Sequence, residues 1–507
     1  MGNKRIETRR EKLDKIDDQI VEMFKQRMTI VQEIGQEKAK TNASVLDTER
    51  ERSIIDRVTS AVSEELSEHT KELFKTIMGA SRAYQEKIIS KMQAEGKKFC
   101  LIGEKLGHSY SPLIHAEFGY NYTLVDLKRD ELENFCKARE YDGFNVTIPY
   151  KVDIMQYLDS IDETALKVGC VNTVVNRGGK LIGYNTDIFG ITYLGYNAGI
   201  RLNGKKVLIL GDGGTAKTAR ALCNNEGARE IVTIDQGAEN NYENISRHYA
   251  DTQVIINTTP VGMYPDNGGW LVGIAPFKSL EGVIDVIYNP LSTNLLFQAA
   301  EKEIKTASGL RMLVAQAKGA RDLFLGNKVC DSVIEKIYNM LCKDITNIVL
   351  IGMPSCGKST VGKALAEKLG RQFVDTDAEV VKETGMSIPQ IFEEHGEAYF
   401  RKHEQAVIEK YGKEKGLVIS CGGGAVVNPL AYPALKQNGV IVHIERDMDK
   451  AETEGRPLLQ DPAALQKLHT QRMPIYRKFA DITIDNNGDI NDTVQYMMEK
   501  LNEHFGD

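Results

Sequence analysis

The sequence of 507 residues has few of the features that mark secreted or membrane proteins. Its eight cysteines are scattered and form no CxxC pair, which favours free thiols in a reducing compartment over a disulfide framework. No apolar run approaches the ~20 residues that span a bilayer, and the N-terminal residues show no apolar signal stretch. These absences predict a cytoplasmic protein without a membrane partner.

Excess positive charge is also missing. The chain has 64 Lys plus Arg against 71 Asp plus Glu, a net charge of -7, and no long tract of one sign. Nucleic-acid binding through a general basic field is therefore not indicated, whereas small anionic substrates held by a few cations remain compatible with the composition. At roughly 150 residues per domain, the length predicts about three domains.

Proline is absent from residues 5–95, and apolar residues recur there at helical spacing. They form one face of a long first helix, and two further helical stretches follow at about 45–66 and 69–93. This pattern predicts an all-helical domain over residues 1–95. The face of the first helix consists of Leu13, Ile16, Ile20, Met23, Val31 and Ile34.

Two cations interrupt that apolar face. Arg27 and Lys38 lie within about 20° of each other around the helix, so they require a buried anion. Arg10 points about 100° away from Arg27, and therefore only a partner chain could bring it to the same anion. A surface ion pair is the alternative for each charge taken alone. Further polar groups occupy expected core or first-turn positions, namely Asp47, Arg50, Glu51, Ser81 and Gln85.

The segments RREKLDKIDDQI, KQRMTIVQEIGQEKAK, LDTERERSII and GASRAYQEKI resemble the all-helical chorismate mutase family. The resemblance implies a domain-swapped homodimer in which Arg10 reaches the partner's site. Lys38 and Gln85 would be catalytic, because fixed polar groups favour the compact, charge-separated transition state of a pericyclic rearrangement. The alternative is a regulatory or dimerisation module that senses chorismate or prephenate. Chorismate would be bound by Arg10, Arg27, Lys38, Asp47, Arg50, Glu51, Ser81 and Gln85.

From residue 99 onward short β-like runs alternate with helical segments, which predicts α/β domains. The turn LGDGGTAKT at 210–218 follows an apolar run and opens a helix, as a dinucleotide-binding turn does. It lacks the third glycine of the common fingerprint, so a plain strand-to-helix turn is the alternative. Its candidate cofactor residues are Gly211, Gly213, Gly214 and Thr215.

The preceding segments GHSYSP, NVTIPYK, VNT and GYNTD are rich in hydroxyl and amide groups, which suit a polyhydroxylated acid. Together with NTTPVGM, IDVIYNP and GLRMLVAQA they resemble shikimate dehydrogenase over residues 97–343. The resemblance implies that Lys151, with Asp187, passes a proton to the C3 oxygen as hydride leaves the nicotinamide. The substrate ring would be held by Ser109, Ser111, Asn145, Thr147, Asn172, Asp187 and Gln316.

The implied dehydrogenase has a substrate lobe at 97–198 plus 311–343 and a Rossmann-like dinucleotide lobe at 200–310. Where the family commonly has Asn-Arg-Thr to grip the 2′-phosphate of NADP(H), this chain has Asp235-Gln236-Gly237. An aspartate accepts hydrogen bonds from a free ribose 2′-hydroxyl and repels a 2′-phosphate. NADP(H) is the family's usual cofactor, but Asp235 predicts that NAD(H) is used at least as well. A quinate or shikimate dehydrogenase with relaxed substrate choice is the alternative.

A second glycine-bracketed turn, GMPSCGKS at 352–359, lies between a strand-like run and a helical one. It matches the phosphate-binding loop, whose backbone N–H groups hold phosphates. Lys358 would reach the transferred group, and Ser359 would bind Mg²⁺. The predicted ATP-binding residues are Gly357, Lys358, Ser359 and Thr360.

The segments DTD, FRKHE, CGGGA, GRPLL and QRMPIYRKFA resemble shikimate kinase over about 346–502, in a P-loop domain at 345–507. The resemblance implies that Asp375 binds Mg²⁺, Asp377 accepts the C3-hydroxyl proton, and Arg456 is a lid arginine on the moving phosphoryl group. The lid run ERDMDKAETEG is short and lacks the family's basic residue near the adenine. A P-loop ATPase or nucleotide sensor is the alternative. Shikimate would contact Arg401, Gly423, Gly424 and Arg472.

The sequence therefore predicts a multidomain enzyme of aromatic amino acid biosynthesis. An all-α mutase domain precedes a two-lobed α/β dehydrogenase and an α/β P-loop kinase. The predicted cofactors are NADP(H) or NAD(H), ATP and Mg²⁺, and the predicted substrates are chorismate, 3-dehydroshikimate and shikimate. The second activity produces what the third consumes.

Overall fold

The computed structural model describes residues 2–41, 43–107, 109–235, 242, 245, 249–447 and 462–506. The chain divides into two compact units, residues 1–186 with 317–333 and residues 187–316 with 334–507. The predicted boundaries near residues 97 and 345 fall inside these units, so the division into three domains stays a prediction. All eight cysteines are free thiols.

The first unit begins with three helices, α1 (Gly2–Thr41), α2 (Thr48–Thr59) and α3 (Glu64–Gln93). Asp47 begins α2 as its N-cap, because its carboxylate accepts a hydrogen bond from the backbone N–H of Arg50 at 2.9 Å. α1 and α3 approach closely at Gly35, where an added Cβ would lie 3.5 Å from Gln85. The predicted helical region is confirmed.

A mixed α/β region completes the first unit. It consists of β1 (Phe99–Gly103), α4 (Ser111–Glu117), β2 (Thr123–Asp126), a 3₁₀ turn (Arg129–Glu131), α5 (Leu132–Ala138), β3 (Gly143–Val146), a 3₁₀ turn (Asp153–Tyr157), β4 (Ser160–Ile161), α6 (Glu163–Val168), β5 (Thr173–Arg177) and β6 (Lys180–Tyr184). The strand order is β2-β1-β3-β5-β6-β4. β1 pairs in parallel with β2 and β3, whereas β5 is antiparallel to β3 and β6. β1 and β3 are buried throughout, as central strands covered on both faces are.

The second unit begins with a parallel α/β region. It consists of α7 (Asp187–Asn197), β7 (Lys206–Leu210), α8 (Gly214–Asn225), β8 (Glu230–Ile234), β9 (Val254–Asn257), β10 (Gly282–Asp285), α9 (Asn294–Ala300), β11 (Lys305–Ser308) and α10 (Leu310–Leu325), whose residues from 317 onward belong to the first unit. The strand order β11-β10-β9-β7-β8 reverses beside β7. Ligands of open parallel sheets bind at such a reversal, beyond the carboxyl ends of the strands.

A second parallel sheet completes this unit. Its elements are α11 (Ser332–Ile345), β12 (Asn347–Ile351), α12 (Lys358–Leu369), β13 (Phe373–Asp375), α13 (Thr376–Thr384), α14 (Ile388–Glu394), α15 (Gly396–Lys413), β14 (Val418–Ser420), a 3₁₀ turn (Ala425–Val427), α16 (Ala431–Lys436), β15 (Gly439–Glu445), α17 (Pro462–Phe479), β16 (Ile482–Asp485) and α18 (Ile490–Phe505). The strand order is β13-β14-β12-β15-β16, with every pair parallel. The apolar runs of β12 and β15 pack between helices on both faces of the sheet. The predicted succession of helical, Rossmann-like and kinase-like α/β regions is confirmed. Among the described helices, none combines the length and the apolar composition needed to cross a membrane.

Candidate active sites

Polar side chains predicted for the helical domain meet between α1 and α3. The guanidinium of Arg27 donates to Ser81 Oγ, and the Ser81 hydroxyl donates to the carbonyl oxygen of Ile77 at 2.7 Å. Burial lowers the pKa of Arg27 below its ordinary value. The structure thus brings a partly desolvated cation and a buried hydroxyl together, although 54 positions separate them in the sequence.

Gln85 follows Ser81 by one helical turn and is also buried. Its Oε1 atom has no hydrogen-bond partner among the residues that the structure describes. A buried polar atom left unsatisfied costs about 1–3 kcal/mol, so such atoms call for a ligand or water. Gln85 is therefore suited to bind a polar group that enters beside Arg27.

The other predicted residues lie on either side of the connection between α1 and α2. Lys38 Nζ donates to the carbonyl oxygen of Val45 at 2.9 Å. Glu51 forms an ion pair with Arg82 of α3, a residue that the sequence did not single out. Arg82 is next to Ser81 in the segment GASRAYQEKI, and this position could have identified it as a candidate site residue from the sequence. Arg50 contributes its backbone N–H to the Asp47 cap, and its side chain is exposed.

Arg10 does not join this cluster within one chain. It lies about 25 Å before Arg27 along α1 and is exposed. The same stretch of helix carries an uncovered apolar face, hereafter the α1 apolar face: Leu13, Ile16, Ile20 and Met23 are 57%, 51%, 59% and 64% exposed. Contiguous exposed apolar residues of this kind mark protein interfaces.

In the substrate-lobe region, buried amides and hydroxyls form one network around Asn145 and Asn172. Asn145 Nδ2 donates to Thr173 Oγ1 at 2.9 Å, and Tyr122 donates to Asn145 Oδ1 at 2.6 Å. Asn172 Oδ1 accepts from the backbone N–H of Thr186 at 2.7 Å. The sequence predicted both asparagines, but the orienting groups Tyr122, Thr173 and Thr186 were missed. They fix which way each amide points.

The remaining predicted groups of this lobe lie on the segments around the network. Ser109 and Ser111 are hydrogen-bonded through their hydroxyls at 3.1 Å, at the start of α4. Thr147 follows β3, and its backbone N–H donates to Ile102 at 3.0 Å. Lys151 is half-buried, and its carbonyl oxygen accepts from Val171 at 2.8 Å. That bond ties the lysine's backbone to the residue before Asn172.

Asp187 and Gln316 belong to the second unit, on α7 and α10. Both are buried, and Gln316 Nε2 donates to the carbonyl oxygen of Leu313 at 2.9 Å. The two helices touch at Gly190, where an added Cβ would lie 2.8 Å from the Met312 carbonyl oxygen and 3.1 Å from Gln316 Cβ. The sequence-predicted aspartate and glutamine therefore stand on neighbouring helices.

The turn between β7 and α8 fits a dinucleotide pyrophosphate. Gly211 has a φ of +100°, which favours glycine, and an added Cβ would lie 2.9 Å from Thr259. Gly213 caps α8, and an added Cβ there would meet no atom of the described residues within 4 Å. Gly214 and Thr215 form the first turn of α8 directly after this loop. Such a helix N-terminus binds phosphate without further groups.

Asp235 directly follows β8, beside the same turn. The backbone N–H of Gly211 donates to the Ile234 carbonyl oxygen at 2.8 Å, which joins the turn to the end of β8. Asp235 is exposed. Gln236 and Gly237, which complete the predicted ribose-binding stretch, lie outside the described residues.

The phosphate-binding loop after β12 has the predicted strand–loop–helix form. Gly352 and Gly357 have φ values of +149° and +97°, so both positions favour glycine. Lys358 is buried, and its Nζ donates to the carbonyl oxygens of Gly352 at 3.0 Å and Met353 at 2.9 Å. Ser359 and Thr360 are exposed in the first turn of α12. The lysine therefore bends back across the loop, towards the position a phosphate occupies.

Ser359 and Asp375 form a fitting magnesium site. Ser359 Oγ donates to Asp375 Oδ2 at 2.7 Å, so two oxygen donors already point at one place. Over the described ranges, no three His, Cys, Asp or Glu side chains cluster as a metal site. This is compatible with Mg²⁺, which binds through one or two protein oxygens plus substrate phosphates and water. Mg²⁺ would there neutralise charge on the phosphates.

The predicted acceptor residues surround the CGGGA turn after β14. An added Cβ on Gly422 would clash with Asp377 Oδ1 and lie 2.6 Å from Glu404 Oε1, and one on Gly424 would clash with the Arg401 guanidinium. Arg472 donates to the carbonyl oxygen of Gly423 at 3.0 Å. Asp377, Arg401, Gly423, Gly424 and Arg472 are thus brought together. The lid residue Arg456 lies outside the described residues.

Glu404 is the residue of this pocket that the sequence missed. It is 2% exposed and pairs with Arg401 Nη1 at 2.6 Å through Oε2. Burial raises the pKa of Glu404, with a further rise from Asp377, and the Arg401 guanidinium opposes both. The Oε1 atom has no hydrogen-bond partner within the described ranges. Glu404 follows Arg401 by three residues on α15, a spacing that was visible in FRKHE.

Comparison with known families assigns all three regions. The family model "Chorismate mutase type II" matches residues 9–86, "Shikimate dehydrogenase substrate binding domain" matches 101–174, and "Shikimate kinase" matches 354–502. The NADP(+) shikimate dehydrogenase of Clostridium perfringens is 37% identical over 266 residues, which cover 48% of this chain and 98% of the relative. That of Methanococcus maripaludis is 35% identical over 275 residues, with 49% and 98% covered.

Solved structures give similar matches. A chorismate mutase/shikimate 5-dehydrogenase fusion protein from Clostridium acetobutylicum is 31% identical, with 48% of this chain and 97% of that chain covered at a TM-score of 0.46. Shikimate 5-dehydrogenase from Listeria monocytogenes, in complex with shikimate and NAD, is 29% identical, with 48% and 96% covered at a TM-score of 0.43.

Proposed function

This chain belongs to the shikimate dehydrogenase family and carries a chorismate mutase domain before it and a shikimate kinase domain after it, and we propose which residues act in each of the three reactions. It is a multifunctional shikimate-pathway enzyme. Its reactions are chorismate to prephenate, 3-dehydroshikimate to shikimate, and shikimate to shikimate 3-phosphate. The main support for this proposal is that each matched region contains a cluster of polar groups suited to its reaction. The alternative of a purely regulatory helical domain is not favoured.

In the mutase, Arg27 and Lys38 bind the substrate carboxylates, and Gln85 donates to the ether oxygen as the C–O bond breaks. Charge separates in that transition state, so fixed donors stabilise it more than they stabilise chorismate. The buried Arg27–Ser81 contact supports the placement of Arg27, and Gln85 would donate through its amide Nε2. Asp47, Arg50 and Glu51 line the same site, with Arg82 holding Glu51.

Arg10 completes the mutase site of a second copy of the chain. The α1 apolar face supports a homodimer, because exposed apolar residues over several helical turns are otherwise unfavourable in water. Pairing of α1 with its symmetry mate would cover this face and carry Arg10 across. Sedimentation of the full chain tests this: a dimer is expected, and Leu13→Glu with Ile20→Glu should give a monomer without mutase activity. A monomeric wild type that retains mutase activity would refute the assignment of Arg10.

In the dehydrogenase, Lys151 donates the proton that the C3 oxygen gains, and Asp187 partners it. A bound NADP(H) or NAD(H) supplies the hydride. An ammonium close to the carbonyl oxygen stabilises the developing negative charge and then protonates it. Asn145 and Asn172, held by their buried network, orient the ring, with Ser109, Ser111, Thr147 and Gln316 completing the substrate contacts.

The cofactor preference of the dehydrogenase follows from Asp235. An exposed carboxylate directly after β8 favours a free 2′-hydroxyl over a 2′-phosphate. The ratio of kcat/KM for NADH over NADPH should therefore be one or higher, and Asp235→Asn should lower that ratio about tenfold by removing the like-charge repulsion. A strong preference of the wild type for NADPH would refute this part of the proposal.

In the kinase, ATP supplies the phosphoryl group and this chain provides the charges around it. Lys358 and Arg456 neutralise the transferred group, Ser359 and Asp375 hold Mg²⁺, and Asp377 accepts the proton of the C3 hydroxyl. Arg401 and Arg472 bind the shikimate carboxylate against Gly423 and Gly424. The close approach of Gly422 to Asp377 and of Gly424 to Arg401 supports a small ring acid as acceptor. We locate these reactions in the cytoplasm, the source of ATP and reduced dinucleotide.

One set of assays on the purified chain tests the whole assignment. Supplying 3-dehydroshikimate, reduced cofactor and ATP should yield shikimate 3-phosphate, and chorismate should yield prephenate in parallel. Lys151→Ala should lower the dehydrogenase kcat about 10²–10⁴-fold and leave the kinase intact, whereas Asp377→Ala should do the reverse. Each variant thus controls the other. ATP hydrolysis that does not depend on shikimate, with no shikimate 3-phosphate formed, would favour a generic ATPase.

A further inference from the structure

Within the second unit, the turn between α16 and β15 of the kinase-like sheet contacts two loops of the dinucleotide-binding sheet. Its residues, Gln437 and Asn438, are both buried. Asn438 Oδ1 accepts from the backbone N–H of Leu291 at 3.0 Å. The carbonyl oxygen of Gln437 accepts from the backbone N–H of Ser292 at 2.9 Å, and Gln437 Oε1 accepts from Asn267 Nδ2 at 2.7 Å. These hydrogen bonds join the two sheets through one buried turn, hereafter the 437–438 turn.

The kinase-like region fixes the 437–438 turn from its own side. Asn438 Nδ2 donates to the carbonyl oxygen of Lys413 at 3.1 Å, at the end of α15. The carbonyl oxygen of Asn438 accepts from the backbone N–H of Asn347 at 2.7 Å, at the start of β12. Gln437 Nε2 donates to the carbonyl oxygen of Ala434 at 2.9 Å. The turn is therefore anchored at the amino ends of β12 and β15, whereas the phosphate-binding loop follows the carboxyl end of β12.

The loop after β10, which Asn438 contacts, also packs against the start of α10. The backbone N–H of Gly309 donates to the carbonyl oxygen of Ile287 at 2.9 Å. Thr293 Oγ1 donates to Asp285 Oδ2 at 2.6 Å, which ties the far end of the loop to β10. Because α10 carries Gln316, this loop lies between the 437–438 turn and a helix of the proposed substrate site.

The other contacted segment belongs to the connection from β9 to β10. Asn267 lies three residues after Tyr264, whose backbone N–H donates to the carbonyl oxygen of Asn289 at 2.9 Å. The segments that follow β9 and β10 are thereby joined. Asn267 is buried, and its Oδ1 has no hydrogen-bond partner among the described residues. Loss of the Gln437 contact would leave both ends of this amide unsatisfied, so the segment would shift to reach water.

The strand order indicates which half of a dinucleotide these loops face. The pyrophosphate turn follows β7, and β8 with Asp235 lies on one side of it, whereas β9 and β10 lie on the other. A dinucleotide binds across the carboxyl ends of the strands at such a reversal. Because Asp235 is proposed to contact the adenosine ribose, the nicotinamide half extends towards the loops after β9 and β10.

We propose that Gln437 and Asn438 are positioning residues of the dehydrogenase, through which the kinase-like region holds the loops that receive the nicotinamide half of NADP(H) or NAD(H). This inference rests on the proposed dehydrogenase activity. The two residues act through Asn267 and Leu291 rather than on the cofactor. Their effect is physically reasonable because a misplacement of about 1 Å, even far from the reacting atoms, can cost about 10²-fold in rate.

Steady-state kinetics of the full chain test the inference. In Gln437→Met the KM for the reduced dinucleotide should rise about fivefold, as expected for the loss of one neutral hydrogen bond. The Ki of ADP-ribose, or of its 2′-phosphate, against that dinucleotide should not change, because these inhibitors lack the nicotinamide. The kinase kcat should also stay unchanged. The matched control is Lys436→Ala, which removes a neighbouring contact to Asp481 inside the kinase-like region and should leave the dinucleotide KM unchanged.

Hydrogen–deuterium exchange of the cofactor-free chain gives a readout that does not depend on catalysis. Asn438→Ala should speed exchange of the Leu291 amide about tenfold, because that N–H loses its acceptor. Lys436→Ala should not change this rate. Asn438→Ala also removes the bond to Lys413, and a normal kinase kcat will show that the kinase-like region still folds. Unchanged exchange at Leu291 in Asn438→Ala would overturn the inference.

A variant on the other side of the contact separates positioning from stability. Asn267→Leu should reproduce the effect of Gln437→Met on the dinucleotide KM, and the double variant should be no worse than either single one. Additive effects, or an equal loss of kcat in both reactions at unchanged KM, would overturn the positioning role. Normal dinucleotide KM in both single variants would refute this inference alone, whereas a wild-type chain that does not reduce 3-dehydroshikimate would refute the dehydrogenase itself.

Discussion

A buried arginine joins the mutase helix α3 to the dehydrogenase, and its removal should destabilise the first unit. Arg321 on α10 is 0% exposed. Its Nη2 donates to Ser90 Oγ at 2.7 Å, and its Nη1 donates to the Asn327 carbonyl oxygen at 2.8 Å and to Asp322 Oδ1 at 3.0 Å. Arg321→Met keeps most of the volume but removes all three bonds.

The expected loss of stability in Arg321→Met depends on which polar groups are left without a hydrogen-bond partner. Breaking a buried ion pair costs about 3–5 kcal/mol when the partner charge is left alone. Here Asp322 keeps Lys318 at 2.8 Å, so we expect a smaller loss of about 2–4 kcal/mol, from the unsatisfied Asn327 carbonyl and the lost bond to Ser90. At about 2–4 °C per kcal/mol for 150–250 residues, the first thermal transition should fall by roughly 5–15 °C.

A double-mutant cycle isolates the bond between Ser90 on α3 and Arg321 on α10. Ser90→Ala alone should cost about 1–2 kcal/mol, because it leaves a charged donor buried without its acceptor. In Arg321→Met that donor is gone, so adding Ser90→Ala should cost about 1 kcal/mol less than it does in the wild type. The surface pair Lys98–Glu140 is the control, and Lys98→Ala should change stability by less than about 1 kcal/mol.

Differential scanning calorimetry of the full chain, without ligands, is the measurement. Strictly additive effects of Arg321→Met and Ser90→Ala would show that the two side chains do not interact in solution. A loss for Arg321→Met no larger than that for Lys98→Ala would refute the reasoning that burial makes this guanidinium costly to remove.

Three further predictions concern the other sites. Gly422→Ala should abolish kinase activity while the dehydrogenase stays normal, because its Cβ would meet Asp377 Oδ1 and Glu404 Oε1; an active kinase would contradict the packing of the turn. Glu404→Gln should raise the KM for shikimate about tenfold, because Arg401 loses its buried counter-charge, whereas the KM for ATP should not change; equal effects on both would point to general damage. Burial raises the pKa of Asp285 from 3.8 to about 6, so its contribution to stability is full below pH 4 and is lost as the pH rises through 6. Relative to the wild type, Asp285→Asn should therefore gain about 2–2.5 kcal/mol between pH 4 and pH 7, measured by denaturant unfolding; a pH-independent difference would contradict this.

Local sequence was sufficient for groups that share a loop or a helix face. Lys358 and Ser359 are positioned by a loop whose glycines and helix follow directly in the chain, so the pattern alone identified them. Ser81 and Gln85 lie one turn apart on α3, and helical spacing was enough to put them on one face. The helical, dinucleotide-binding and kinase-like folds followed from the same local periodicities.

Groups whose partners are distant in sequence could not be predicted. Tyr122 orients Asn145 from the residue before β2, and Arg82 of α3 pairs with Glu51 of α2. Their roles depend on how elements pack, which no local pattern encodes. Glu404 differs from these residues, because its three-residue spacing from Arg401 can be read from the sequence. Its burial against the glycine turn cannot, and it is this burial that makes its charge important to Arg401.

The two faces of α3 carry different partners. Gln85 and Ser90 are five residues apart, so they point about 140° away from each other around the helix. One face presents Ser81 and Gln85 to the mutase site, and the other presents Ser90 to Arg321 and Glu86 to the backbone N–H of Cys330 at 3.2 Å. Burial raises the pKa of Glu86, which is expected for a carboxylate covered by packing against the residues around Cys330. Without α3 the Arg321 guanidinium would lose its bond to Ser90 and part of its cover, so α3 is a structural part of the first unit as well as a wall of the mutase site.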